Sequence, residues 1–95
     1  MRGLLTAVFE PDQPYRCSPR VALRPEPFGA LAYDFGTRRL SFLKTKLLVE
    51  VVRTLGEQPD VHTTLDEAGV PEDQRPSYLK ALEGLERTGT IERRT

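Results

Sequence analysis

The segment Val21–Thr45, VALRPEPFGALAYDFGTRRLSFLKT, decides the fold. Val21 and Leu23 alternate with Ala22 and Arg24, a half-buried strand pattern that Pro25 and Pro27 bring to a stop. Two further runs flank Gly36-Thr37, a pair that fits a two-residue hairpin loop of the Gly-X kind. With Phe35 set opposite Arg38, Tyr33 faces Leu40 and Leu31 faces Phe42, so large apolar residues meet across the pair of strands. The expected core face is therefore Leu31, Tyr33, Phe35, Leu40 and Phe42. Its reverse, with Ala30, Ala32 and Asp34 against Arg39, Ser41 and Leu43, is small or polar apart from Leu43. If Phe35 and Arg38 form the closing hydrogen-bonded pair, Leu40 and Phe42 turn their backbone groups to the second strand. Arg39, Ser41 and Leu43 then turn theirs outward, to a free edge.

Beyond Thr45 the apolar period changes from two to about 3.6, with Leu47, Leu48, Val51, Val52 and Leu55 on one helical stripe. Gly56 and Pro59 end this helix. Thr64 with Glu67 three positions later is a capping-box signature, and Gly69 closes a helix of little more than one turn. Pro76 is tolerable only in a first turn, so the third helix begins near Gln74 and runs through Tyr78, Leu79, Leu82 and Leu85 to Gly89. Upstream, residues 1–14 lack a sustained period and close on Glu-Pro-Asp-Gln-Pro, which predicts a weakly ordered arm before one domain over 15–95. Tyr15–Arg20 is a polar lead-in, and Ile91 begins a short tail. The expected class is α+β and winged helix-turn-helix-like: a three-stranded antiparallel sheet followed by three helices.

Composition removes several function classes. The 14 basic and 14 acidic residues cancel, so no global field draws nucleic acid or an anionic membrane. A 95-residue chain has one small core and little room for a large enclosed active site. Cys17 is the sole cysteine, which excludes an intrachain disulfide and a thiolate metal cluster and suits a reducing, cytoplasmic setting. The opening MRGLLTAVF is too short to span a bilayer. His62 has no second ligand at metal spacing, and the glycines form no phosphate loop. With no catalytic constellation, the sequence predicts a binding protein, not an enzyme, with no cofactor of its own.

Two binding modes compete. A winged helix suggests DNA, but the third helix carries Glu72, Asp73, Glu83 and Glu86 against Arg75, Lys80 and Arg87, a poor surface for a phosphate backbone. A winged-helix DNA-binding regulator is therefore the lesser alternative. The other mode is peptide capture by strand addition, in which main-chain hydrogen bonds supply affinity and side-chain pockets supply specificity. Arg38 and Lys44 would hold acidic residues of the guest, and Tyr78 and Leu82 an apolar wall. Arg38, Arg39 and Lys44 have a second explanation, since charge on an edge strand also discourages unwanted pairing. The same edge permits a monomer or a weak homodimer.

These residues also carry a resemblance. The run VALRPEPFGALAYDFGTRRLSFLK, the Leu/Val helix after it and the ending YLKALEGLERTGTI are similar to the mycofactocin-system peptide chaperones, within the PqqD-like family of recognition elements for ribosomally made, modified peptides. The similarity spans about Tyr15 to Ile91, with Arg-Pro-Glu-Pro-Phe-Gly and Arg-Arg-Leu-Ser-Phe-Leu its most specific parts. It implies a non-enzymatic protein that binds the leader of a precursor peptide as an added strand and presents it to a radical SAM maturase. Any cluster would belong to that partner. Transferred by position, the leader site falls on Arg39–Leu43 and the Tyr78–Glu86 face, giving the expected contacts Arg38, Arg39, Ser41, Leu43, Lys44, Tyr78, Leu82 and Glu86. On this reading Ser41→Pro removes one outward N–H and leaves the pairing with the second strand intact.

Overall fold

The computed structural model describes residues 8–94. In chain order the elements are β1 (Tyr15–Cys17), β2 (Val21–Glu26), β3 (Gly29–Asp34), β4 (Leu40–Leu43), α1 (Lys46–Thr54), α2 (Val61–Ala68), α3 (Arg75–Arg87) and β5 (Ile91–Arg93). Single 3-10 turns follow α1 at Leu55–Glu57 and precede α3 at Glu72–Gln74. Strands β2, β3 and β4 form an antiparallel sheet in that order, followed by the three helices, as the sequence predicts. The register across β3 and β4 is also the expected one, with Tyr33 opposite Leu40 and Leu31 opposite Phe42.

The face is not the expected one. Ala30, Ala32 and Leu43 are buried, whereas Leu40, Phe42 and Phe35 are largely exposed and Leu31 and Tyr33 half-buried. The physical reason is clearance. Helix α1 lies against the sheet and buries Leu48, Val51 and Val52 there, and small residues on the facing strand let it approach closely. Gly29 answers a separate constraint where β4 passes into α1: a Cβ there would collide with the carbonyl oxygen of Leu43 and crowd the backbone of Thr45. Leu43 is then the one large side chain that β4 sends inward.

The hairpin loop also differs, and the difference propagates. Gly36 does not take a left-handed conformation; Arg38 does, at φ 64°. The closing pair is Asp34 with Arg39, whose carbonyl accepts from the Asp34 N–H at 2.9 Å. Asp34 Oδ1 then caps the four-residue loop, accepting from the N–H groups of Gly36 (2.7 Å) and Thr37 (3.0 Å), while Arg38 N–H donates to the Asp34 carbonyl (2.7 Å). The bond from Thr37, with those from Arg20 and Gly36, holds this carboxyl below the usual aspartate range against the opposing effect of burial.

The helices start and stop on local signals. Thr45 caps α1, its Oγ1 accepting from Leu48 N–H at 3.0 Å. Helix α2 begins earlier than the capping-box reading of Thr64: Asp60 is the cap, accepting from Thr63 N–H at 2.7 Å, and Thr64 is buried within the helix. Gly69, at φ 79°, ends it. Helix α3 follows expectation, with Pro76 in its first turn and Gly89 just beyond its end.

Two short strands were not anticipated. The lead-in and the tail pair as β1 and β5, with Tyr15 opposite Arg93 and Cys17 opposite Ile91, and Tyr15 and Ile91 are fully buried. Three residues are too few to show a period, so burial of Tyr15 and Ile91 drives the pairing. Residues 1–7 of the expected arm lie outside the described residues. Of the rest, Phe9 packs on Tyr15 at 5.1 Å between ring centroids, and the carbonyl of Pro11 accepts from Val61 N–H at 2.9 Å.

Candidate functional site

The antiparallel ladder fixes which backbone groups of β4 are free. Hydrogen-bonded and non-hydrogen-bonded pairs alternate, and the bond from Asp34 N–H to the Arg39 carbonyl sets their phase. Ala32 with Ser41 and Ala30 with Leu43 are therefore the pairs that exchange bonds. Leu40 and Phe42 turn their N–H and C=O groups away from β3. This inverts the expected edge: Arg39, Ser41 and Leu43 face the sheet, and the outward groups are those of Leu40 and Phe42. The cause is the loop, since closing on Asp34 and Arg39 in place of Phe35 and Arg38 keeps the register but moves every bond by one residue.

Beside this edge lies a groove of about 450 Å³, walled by β4 and the start of α1 on one side and by α3 on the other. Its floor is apolar, with Leu48 and Leu85 at the base. On α3 the lining residues Ser77, Ala81, Gly84 and Thr88 recur at spacings of four, three and four, so they form one stripe of small side chains. A Cβ at Gly84 would meet nothing within 4 Å, which leaves the middle of the helix face bare. An extended backbone fits a surface of this kind.

The ends of the groove are fixed by hydroxyl contacts. At one, Tyr78 Oη lies 3.0 Å from Thr45 Oγ1, joining α3 to the cap of α1. At the other, Ser41 Oγ lies 3.3 Å from Thr90 Oγ1, which also lies 3.2 Å from Thr88 Oγ1. Each such contact contributes on the order of 1 kcal/mol, less where water competes. Lys44 is the one charged residue lining the groove.

The sequence-predicted contacts divide accordingly. Ser41, Lys44 and Tyr78 line the groove. Leu43 and Leu82 are fully buried in the core and present no side chain to it. Arg38 and Arg39 are exposed at the hairpin, beyond the groove lining, and Glu86 is on α3 but outside that lining. Phe42, Ala81, Gly84 and Leu85 line it too, within the expected Arg39–Leu43 and Tyr78–Glu86 stretches though not named as contacts, while Thr45, Leu48, Ser77 and Thr88 lie outside those stretches. The small-residue spacing on α3 was a readable signal for four of the helix positions.

Among the described residues no group of three or more His, Cys, Asp or Glu side chains could hold a metal ion, and no helix is long and apolar enough to cross a membrane. Burial, and then the charge of Glu92, pushes the Cys17 thiol above its ordinary pKa, which disfavours the nucleophilic thiolate.

Comparison with known proteins agrees with a binding role. Residues 14–92 match the Peptide chaperone MftB family. The chain is 55% identical over 74 residues to the peptide chaperone MftB of Mycolicibacterium smegmatis, covering 78% of this chain and 72% of that one. It is 47% identical over 96 residues to the protein of that name from Mycobacterium ulcerans, covering 90% and 88% of the two chains. With the Mycobacterium tuberculosis protein of the same name it shares 51% over 77 residues, covering 81% and 71%. No solved structure matches.

Proposed function

The chain belongs to the peptide chaperone MftB family, a non-enzymatic family of the mycofactocin system, and from that premise we propose that it binds the leader of the mycofactocin precursor peptide and delivers it to a radical SAM maturase. The observation that carries this reading is the edge of β4 at Leu40 and Phe42, which no described residue pairs, set beside the apolar groove of α3. An extended leader on that edge gains main-chain hydrogen bonds from those residues, and every second side chain enters the groove. Ser41, Lys44, Tyr78 and the small residues of α3 then line its path, and Lys44 supplies a counter-charge for an acidic leader residue.

No bond is made or broken on this protein. It works as a tether, which turns the meeting of maturase and peptide core into an encounter at high effective concentration. We place this work in the cytoplasm. The protein acts there as a monomer or a weak homodimer.

Isothermal titration with the precursor peptide, repeated with a leader-deleted version, tests the reading. Saturable binding that disappears on leader deletion is expected. Equal binding of both peptides would overturn it.

A further inference from the structure

The outer face of the β2–β3–β4 sheet, opposite α1, is apolar and uncovered by the described residues. Phe28, Phe35, Leu40 and Phe42 are 46%, 65%, 59% and 60% exposed, with Leu31 and Tyr33 half-buried between them. The rings pack in pairs. Phe28 packs on Phe42 with centroids 6.1 Å apart, and Tyr33 meets Phe35 edge-on at 5.0 Å, so each end of the sheet folds an aromatic pair onto this one face. An antiparallel sheet with one face in water alternates apolar and polar side chains, but here the residues β3 and β4 turn to the outer face, Leu31, Tyr33, Leu40 and Phe42, are all large and apolar apart from the tyrosine hydroxyl. Scattered exposed apolar residues are ordinary; six on one contiguous face mark an interaction surface.

The charge around this face has one dominant sign. Arg24, Arg38, Arg39 and Lys44 are exposed on β2, the hairpin and the end of β4. Arg24 is paired with Glu26 at 3.0 Å, while none of the described ion pairs uses Arg38, Arg39 or Lys44. Phe42 belongs both to this face and to the groove lining, so whatever docks here touches whatever occupies the β4 edge.

We propose that the outer sheet face docks a folded protein whose apolar patch is rimmed by carboxylates; resting on the function proposed above, that protein is the maturase. Its position beside the leader strand brings the enzyme to the peptide it modifies. A second copy fits poorly, because two such faces would bring cationic rims together. An anionic membrane is a weaker occupant, since the chain carries no net charge and only three uncommitted cations surround the face.

The test is the double variant Tyr33→Ser/Phe35→Ser, whose positions lie off the β4 edge and outside the groove lining, with Phe35→Glu alone as a second variant on the loop. Binding of the purified maturase is measured by interferometry, and binding of the precursor peptide by calorimetry. The expected result is maturase affinity weakened by about tenfold or more with peptide affinity held within about twofold. Arg38→Glu/Arg39→Glu is expected to weaken maturase binding, with a salt dependence smaller than that of wild type. Unchanged maturase affinity in all three variants would overturn the proposal, as would an equal loss of peptide binding. So would a wild-type dimer, or wild-type binding to phosphatidylglycerol vesicles, that the double variant abolishes. Failure of the wild type to bind precursor peptide would refute the leader reading instead, and the maturase measurement would still decide this one.

Discussion

The two edges of the same sheet are built in opposite ways. The bond from Phe35 N–H to the Arg20 carbonyl, together with the β2–β3 register, makes Ala22–Tyr33 and Arg24–Leu31 hydrogen-bonded pairs. On β2 the outward residues are therefore Val21, Leu23 and Pro25. Val21 N–H is already given to the Ser18 carbonyl at 3.0 Å, and Pro25 has no N–H, so Leu23 alone retains a donor. On β4 both Leu40 and Phe42 keep theirs. One edge is closed by its own sequence, and the other is left open where a groove runs beside it. Edge exposure is a liability that most sheets suppress, so its retention on one side only is informative.

Inward and outward positions of β4 should respond differently to proline. Ser41→Pro removes a donor that bonds Ala32 and strands that carbonyl in the sheet. It is expected to cost about 2–4 kcal/mol of stability, read from urea unfolding. This replaces the expectation that the same substitution would spare the fold.

The hairpin loop sets the phase of the open edge, and Asp34 holds the loop. Its carboxyl is depressed in the folded state, so its contribution is present above the ordinary aspartate pKa and is lost as pH falls through the folded value. Asp34→Asn should therefore lower Tm near neutral pH, and the gap from wild type should close on acidification below about pH 4. A gap independent of pH would leave the ion pair with Arg20 and the charged cap without a role.

The smallest effect is expected on the closed edge. Pro25→Ala restores one outward N–H on β2 and should change stability by no more than about 0.5 kcal/mol. Peptide affinity should stay at the wild-type value, because the α3 groove lies along β4. Sedimentation at high concentration should show slightly more self-association.

Much of this was legible in the sequence. Register followed from the apolar pairs, and α1 and α3 from a 3.6-residue period with Pro76 and Gly89 at their limits. The buried face was misread because size was taken as the mark of the core, whereas close approach of α1 selects Ala30 and Ala32. The edge was misread because Gly36-Thr37 resembles a two-residue loop, although Asp34 is the residue that organises the turn. Pro25 held the missing information. Given the register, Pro25 cannot donate to Ala30, so Ala30 must turn its bonds to Leu43, which leaves Phe42 and Leu40 facing outward. The small-residue stripe of α3 was legible too, but its leucines drew attention to the buried side of the helix.

The central claim is that the outward N–H of Phe42 bonds a guest strand. Comparing Phe42→Pro with Phe42→Ala isolates it, because both lose the ring and only proline loses the donor. The measurement is the precursor-peptide dissociation constant of the two variants, taken once their Tm values are shown to agree. The account predicts that proline binds at least about fivefold more weakly than alanine, the worth of one hydrogen bond. Equal affinities would contradict it.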